Sequence, residues 1–100
     1  MKKRVRENEV ERAFLKEVEK IGGIAVKNAV TYRAGFPDRT VILPNGRVLF
    51  VELKTEGGRL SPLQAFRIQE LERLGQQVLV IRSREEVRAF AAAWRDRGEI

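Results

Sequence analysis

The 100-residue chain predicts a mixed α/β fold, with elements in the order α-β-β-β-α-β-α and helices laid against a sheet that is partly antiparallel and partly parallel. Three observations carry this. The β-rich runs Arg39-Thr40-Val41-Ile42-Leu43 and Val48-Leu49-Phe50-Val51 flank Pro44-Asn45-Gly46, which is the chemistry of a hairpin turn. A capped helix then separates the second of these strands from the apolar run Gln77-Val78-Leu79-Val80-Ile81, and a helical link between two such strands implies a parallel, right-handed crossover. Apolar residues also recur at three- and four-residue spacing near both ends of the chain, the period of a helix with one buried face.

Residues from about Glu7 to Ile21 form the first helix, with Val10, Phe14, Leu15, Val18 and Ile21 as its apolar stripe and Gly22-Gly23 as its stop. Residues 1–6 precede it as a basic arm. Ile24-Ala25-Val26-Lys27-Asn28-Ala29-Val30 reads as the first strand, with imperfect alternation and loose ends. Thr31 to Phe36 is a loop in which Gly35 supplies a backbone conformation that a Cβ would forbid. After the hairpin, Thr55-Glu56-Gly57-Gly58-Arg59 is a second loop. Ser61, Pro62 and Gln64 then make a Ser-x-x-Gln capping box for a helix that ends at Gly75. Ser83-Arg84-Glu85-Glu86 opens the last helix in the same way, with Val87, Phe90, Ala91 and Trp94 turned inward and Trp94 serving as core or dimer contact. Residues 95–100 read as a frayed tail.

One hundred residues make a single domain, and a hydrophobic content of 43% is enough for its core. The net charge of +6 favours a polyanionic partner, although membrane surfaces and acidic proteins satisfy the same condition. With no cysteine there is no disulfide framework, and with no histidine a mechanism that relies on an imidazole base is excluded. After Met1-Lys2-Lys3-Arg4, Val5 is followed by Arg6, Glu7, Asn8 and Glu9 rather than by an apolar run, so the segment reads neither as a signal peptide nor as a membrane anchor.

The register of the hairpin decides the chemistry. A two-residue Asn45-Gly46 loop would pair Pro44 with Arg47 and demand an N–H that proline lacks. A three-residue loop avoids this, with Pro44 and Asn45 as the central residues of a type I turn and Gly46 in the left-handed bulge position. Leu43 then opposes Arg47, and the same ladder carried back places Asp38 opposite Glu52 with their Cβ atoms roughly 5 Å apart. Two carboxylates that close repel each other unless a cation lies between them. Oxygen ligands alone select a hard ion such as Mg²⁺ or Mn²⁺. Lys54, two residues beyond Glu52, faces the same side and is placed to orient or deprotonate an attacking water. Such an arrangement suits hydrolysis of a phosphodiester. The plainer alternative is that Asp38 merely begins a strand while Glu52 and Lys54 form a structural ion pair.

Pro37-Asp38 followed by Glu52-Leu53-Lys54 resembles the PD-(D/E)XK nuclease signature. The fuller set, Gly35 to Arg39, Phe50 to Lys54, Gly58 to Gln64 and Leu74-Gly75, resembles the VRR-NUC (virus-type replication-repair nuclease) family over most of the chain. The resemblance implies a restriction-endonuclease-like fold and a DNA nuclease dependent on one or two Mg²⁺ or Mn²⁺ ions. Stand-alone members of this size are similar to dimeric Holliday-junction resolvases of phages and bacteria, which places the protein in the cytoplasm of a bacterial or phage-infected cell. A helix-borne glutamate completes the metal site in that family and Glu11 stands at the matching position, with Glu7, one turn earlier, as its substitute. Asp38, Glu52 and the Leu53 backbone carbonyl make up the rest of the expected metal shell.

Gln64 has two readings that need not exclude each other, as the cap of its helix and as the family's glutamine beside the metal. Tyr32, Arg33 and Arg39 stand near the proposed site, where guanidinium groups can hold phosphate and a ring can stack on a base or sugar, while Arg59 lies on the loop after Lys54. Ordinary rim packing accounts for Tyr32 and Phe36 equally well. Two further functions stay open beside junction resolution: a flap or nicking nuclease on branched or single-stranded DNA, and a DNA-binding module without activity.

Overall fold

The computed structural model describes residues 2–29 and 32–96, with side chains placed over residues 9–29 and 32–95. The elements follow the expected order: α1 (Lys2–Lys20), β1 (Ile24–Lys27), β2 (Arg39–Leu43), β3 (Arg47–Leu53), α2 (Pro62–Arg73), β4 (Val78–Ile81) and α3 (Arg84–Asp96). The sheet order is β1-β2-β3-β4, antiparallel between the first three strands and parallel between β3 and β4.

Pleating sorts the strand residues onto two faces. Val41, Leu43, Leu49, Val51 and Ile81 point to the face covered by α1 and α3, where they meet Val10, Phe14, Val18, Ile21, Val87, Phe90 and Trp94 in one core. Phe14 and Phe90 meet with ring centroids 5.3 Å apart. The intervening residues Phe50 and Glu52 point the other way, toward α2, whose Gln64 reaches Glu52. Glu52 and Gln64 are therefore held on the face of the sheet opposite the main core.

The hairpin register is the expected one, with Leu43 opposite Arg47 and Arg39 opposite Val51. Its turn differs in one respect. Asn45 sits at φ 70° and ψ 19° and Gly46 at φ 76°, so both residues are left-handed where only Gly46 was expected to be. Asparagine tolerates this region because its short polar side chain bonds locally, and a bend shared by two residues still closes the same ladder.

Several boundaries also differ. α1 begins at Lys2, so the backbone of residues 2–6, read as an arm, is helical. β1 ends at Lys27 rather than continuing to Val30, because Asn28 bonds to the turn before β2: its N–H donates to the Asp38 carbonyl at 2.8 Å and its side chain to the Pro37 carbonyl at 2.9 Å. α3 includes Arg95 and Asp96, which were assigned to the tail. Val30, residues 97–100 and the side chain of Glu7 lie outside the described residues.

The capping box of α2 forms in full. Ser61 Oγ accepts from the Gln64 N–H at 3.1 Å while Gln64 Oε1 accepts from the Ser61 N–H at 2.8 Å. At α3 only half of the expected box closes: Ser83 Oγ accepts from the Glu86 N–H at 3.1 Å, but Glu86 Oε1 accepts at 2.6 Å from the N–H of Arg82, one residue before the cap.

Candidate active site

β2 begins where the Pro37-Asp38 turn ends, and β3 ends in Glu52-Leu53-Lys54 beside it. The continued ladder sets Asp38 against Glu52. Backbone donors then hold each acid: the Asp38 N–H donates to Glu52 Oε1 at 3.2 Å, and the Leu53 N–H donates to Asp38 Oδ2 at 3.0 Å. Gln64 Nε2 donates to Glu52 Oε2 at 2.9 Å, and Lys54 Nζ stands 3.8 Å from the same oxygen. Gln64 thus makes two sets of bonds at once, its oxygen capping α2 while its nitrogen holds Glu52.

Glu52 is only 3% exposed. Burial, together with repulsion from Asp38, lifts its pKa from 4.5 to about 7, even though Lys54 and the bond from the Asp38 backbone pull the other way. The shift means that one ammonium does not balance two adjacent carboxylates in a desolvated pocket. The carboxylate pair, oxygen-only and oriented by backbone N–H groups, is the donor chemistry that a hard divalent cation fits.

A cleft of about 330 Å³ collects Glu11, Lys27, Asp38, Arg39, Glu52, Leu53, Lys54 and Gln64. Glu11, the expected third ligand, lines this cleft but is not clustered with the other two acids. Its Oε2 is 2.7 Å from Arg39 Nη2. Arg39 alternates with Thr40 along β2, so it lies on the α1 side of the sheet, and its guanidinium also donates to the Ala25 carbonyl at 3.2 Å. A residue expected to hold phosphate therefore holds a glutamate, with only 11% of its side chain exposed. Among the described residues no three carboxylates converge as a ready-made metal cage.

The other expected DNA contacts lie on the surface. Tyr32 is 95% exposed, Arg59 is exposed after β3, and Arg33 is exposed with Nη1 3.5 Å from Glu70 Oε2. Phe36 is packed edge-on against Phe50, centroids 5.6 Å apart, which favours the packing reading for that ring.

Two site residues escaped the reading of the chain. Lys27 lines the cleft from β1. Asn28 binds the Asp38 and Pro37 carbonyls and also accepts from Thr40 Oγ1 at 2.9 Å, so one side chain ties down the turn that carries Asp38. The available signal was asparagine within an otherwise β-forming run, since its side chain competes for backbone partners and is depleted in strands.

Comparison with known proteins adds to this geometry. The model of the VRR-NUC domain matches residues 4–85. The chain belongs to the VRR-NUC domain family. A phage protein named "Putative nuclease p44", from Acyrthosiphon pisum secondary endosymbiont phage 1, is 44% identical over 81 residues, which cover 81% of this chain and 87% of that protein. A solved structure described as a VRR_NUC domain superposes with a TM-score of 0.79 at 32% identity, covering 84% of this chain and 91% of that one. The sheet and helices of this VRR-NUC domain therefore have the PD-(D/E)XK-type fold that the sequence implied, and a nuclease is the activity its family carries.

Proposed function

We propose that this VRR-NUC domain is a Mg²⁺- or Mn²⁺-dependent endodeoxyribonuclease that cuts structured DNA, and that as a homodimer it resolves four-way junctions. The observation that carries the reading is the convergence of Asp38, Glu52, Lys54 and Gln64 in one cleft, with backbone N–H groups aiming both carboxylates. Asp38, Glu52 and the Leu53 carbonyl would hold the ion, with Glu11 as the third carboxylate once its link to Arg39 is loosened. A divalent ion bound there acidifies water and neutralises charge accumulating on phosphate.

The chain's own residues supply the rest. Lys54 orients the attacking water or accepts its proton; the water oxygen bonds to phosphorus as the bond from phosphorus to the leaving deoxyribose oxygen breaks, and that oxygen takes up a proton from solvent. Gln64 keeps Glu52 in its ligating rotamer through the 2.9 Å bond, and Arg39 holds Glu11 at the rim of the cleft.

Every one of these groups belongs to a single chain, which favours a second reading in which a monomer cuts one strand of a flap or nicked substrate. What supports the dimer is the sheet face away from the core, where Ile24, Ile42 and Val48 align across three strands beside Val26 and all four are exposed. Two sites related by a two-fold axis are what symmetric cleavage of a junction requires.

The test is cleavage of labelled duplex, flap, nicked and four-way substrates in Mn²⁺ by wild type and by Lys54→Ala. Wild type is expected to cut the four-way junction, and Lys54→Ala to lose cleavage by about 10²-fold or more while binding DNA with unchanged affinity. No cleavage of any substrate by folded wild type in Mn²⁺ would leave only the DNA-binding module.

A further inference from the structure

A second concavity lies between α1 and α3, on the opposite side of the sheet from α2. It measures about 390 Å³ and is lined by Arg12, Lys16, Lys20, Arg84 and Arg88, with Glu9 and Glu17 among them. Five cations against two carboxylates leave a surplus of three positive charges. Glu17 is moreover engaged by Lys20 at 3.4 Å and by Arg95 at 3.8 Å. Among the described residues Arg12, Lys16, Arg84 and Arg88 are exposed and make no ion pair.

The catalytic cleft has no such surplus. Glu11, Asp38 and Glu52 are matched there by Lys27, Arg39 and Lys54. A neutral cleft exerts little long-range pull on a polyanion, so the attraction implied by the chain's net charge of +6 must act elsewhere.

We infer that the α1–α3 groove is a phosphate-backbone track that grips a DNA arm leaving the catalytic cleft. Its position fits this role. α1 carries Glu11 into the catalytic cleft and, on the adjacent residue, Arg12 into the groove. A shallow cavity lined by Val10, Glu56, Arg82 and Arg84 joins the groove to the loop after Lys54, and Arg82 Nε donates to the Gly58 carbonyl of that loop at 3.1 Å. Glu56 and Glu85 stand at this junction, so phosphate contacts are confined to the groove proper. From Glu9 to Lys20 the helical rise gives a track about 16 Å long, room for roughly three successive phosphates of one strand. Cations at positions 12, 16 and 20 repeat every four residues along α1, and those at 84 and 88 do the same along α3, so both walls present charge toward the gap. Exposed arginine and lysine with few acids suit a phosphate backbone; an anionic membrane would favour apolar residues interleaved among the cations, and the groove's lining offers only Ala13 and Val87.

The inference rests on the nuclease reading, and one experiment separates the two. Equilibrium binding of a four-way junction with long arms is measured against salt concentration, without divalent ion, for wild type and for the combined variant Arg12→Gln, Lys16→Gln, Arg84→Gln and Arg88→Gln. Mn²⁺-dependent cleavage by wild type is followed in parallel. The variant is expected to bind at least tenfold more weakly at about 0.1 M salt, with its slope of log K against log salt reduced by about 2 to 4. Arg73→Gln, at the end of α2 on the other face, removes one charge and should leave the slope unchanged. Replacing Arg12, Arg84 and Arg88 by lysine should retain it. Circular dichroism and thermal midpoints confirm that each variant is folded. An unchanged slope in the folded quadruple variant overturns the groove whatever the cleavage result, and so does a loss confined to binding of phosphatidylserine vesicles. A reduced slope in the variant with no cleavage by wild type sustains the groove and overturns the nuclease reading alone.

Discussion

At the scale of single residues, the Glu52 carboxylate is held from three sides. It receives the Asp38 N–H, Gln64 and Lys54 and yet titrates near 7, because burial and the neighbouring Asp38 outweigh them. The sign of the linkage follows from the raised pKa. Below about 4.5 the group is protonated in both folded and unfolded chains and costs nothing. Between 4.5 and 7 the unfolded chain releases its proton first, so stability falls as pH rises, and above 7 the loss is complete. At about 1.4 kcal/mol per pH unit, the stability of wild type relative to Glu52→Gln should drop by roughly 3 kcal/mol across that window in EDTA. Chemical denaturation of both proteins from pH 4 to 8 measures it, and a constant difference would contradict the buried-acid picture. Mn²⁺ at about one hundred times its dissociation constant should return close to 3 kcal/mol to wild type at pH 8 and nothing to Asp38→Asn, read as a shift in thermal midpoint.

At the scale of elements, the site depends on where three segments end. β1 stops at Lys27 because Asn28 spends its backbone and side chain on the Pro37-Asp38 turn. α2 starts at a capping box whose glutamine has a spare nitrogen aimed at β3. Gly35, at φ 84°, lets the loop before Asp38 run against Leu63, whose backbone carbon and oxygen would lie 3.0 Å from a Cβ there. Asn28→Ala should therefore destabilise the fold by about 2 kcal/mol, since it leaves the Pro37 carbonyl and the Thr40 hydroxyl without their partner. It should also lower kcat more than it weakens DNA binding, because the turn it loosens carries Asp38 and not the basic groove. Urea denaturation and single-turnover cleavage check the two halves separately; equal losses in kcat and affinity would count against a positioning role.

At the scale of the whole molecule, the sheet divides the labour. One face is buried under α1 and α3 and holds the main apolar core, while the other bears Glu52 and α2, with a strip at its hairpin end left uncovered. Ile42, at the middle of that strip and 40% exposed, is the residue on which dimerisation should turn. Wild type at tens of micromolar should elute at twice its 11.5 kDa mass, and Ile42→Lys as a folded monomer that nicks DNA without resolving junctions. Elution of wild type as a monomer at that concentration would return the molecule to the single-strand reading.

Much of this was legible in the chain because its signals are local. The turn chemistry of Pro44-Asn45-Gly46 and the missing N–H of Pro44 set the hairpin register, and that register alone brings Asp38 and Glu52 face to face. The two capping signals and the apolar stripes placed the helices with equal directness. The tertiary structure decided what depends on contacts between distant segments. Arg39 turns to Glu11 rather than to solvent, Asn28 leaves the first strand to anchor a turn ten residues later, and basic residues of α1 and α3 that look like solvated charge in the chain become the two walls of one groove. Local propensity cannot foresee such pairings, because which of two compatible partners a polar side chain takes is settled by the packing that carries it there.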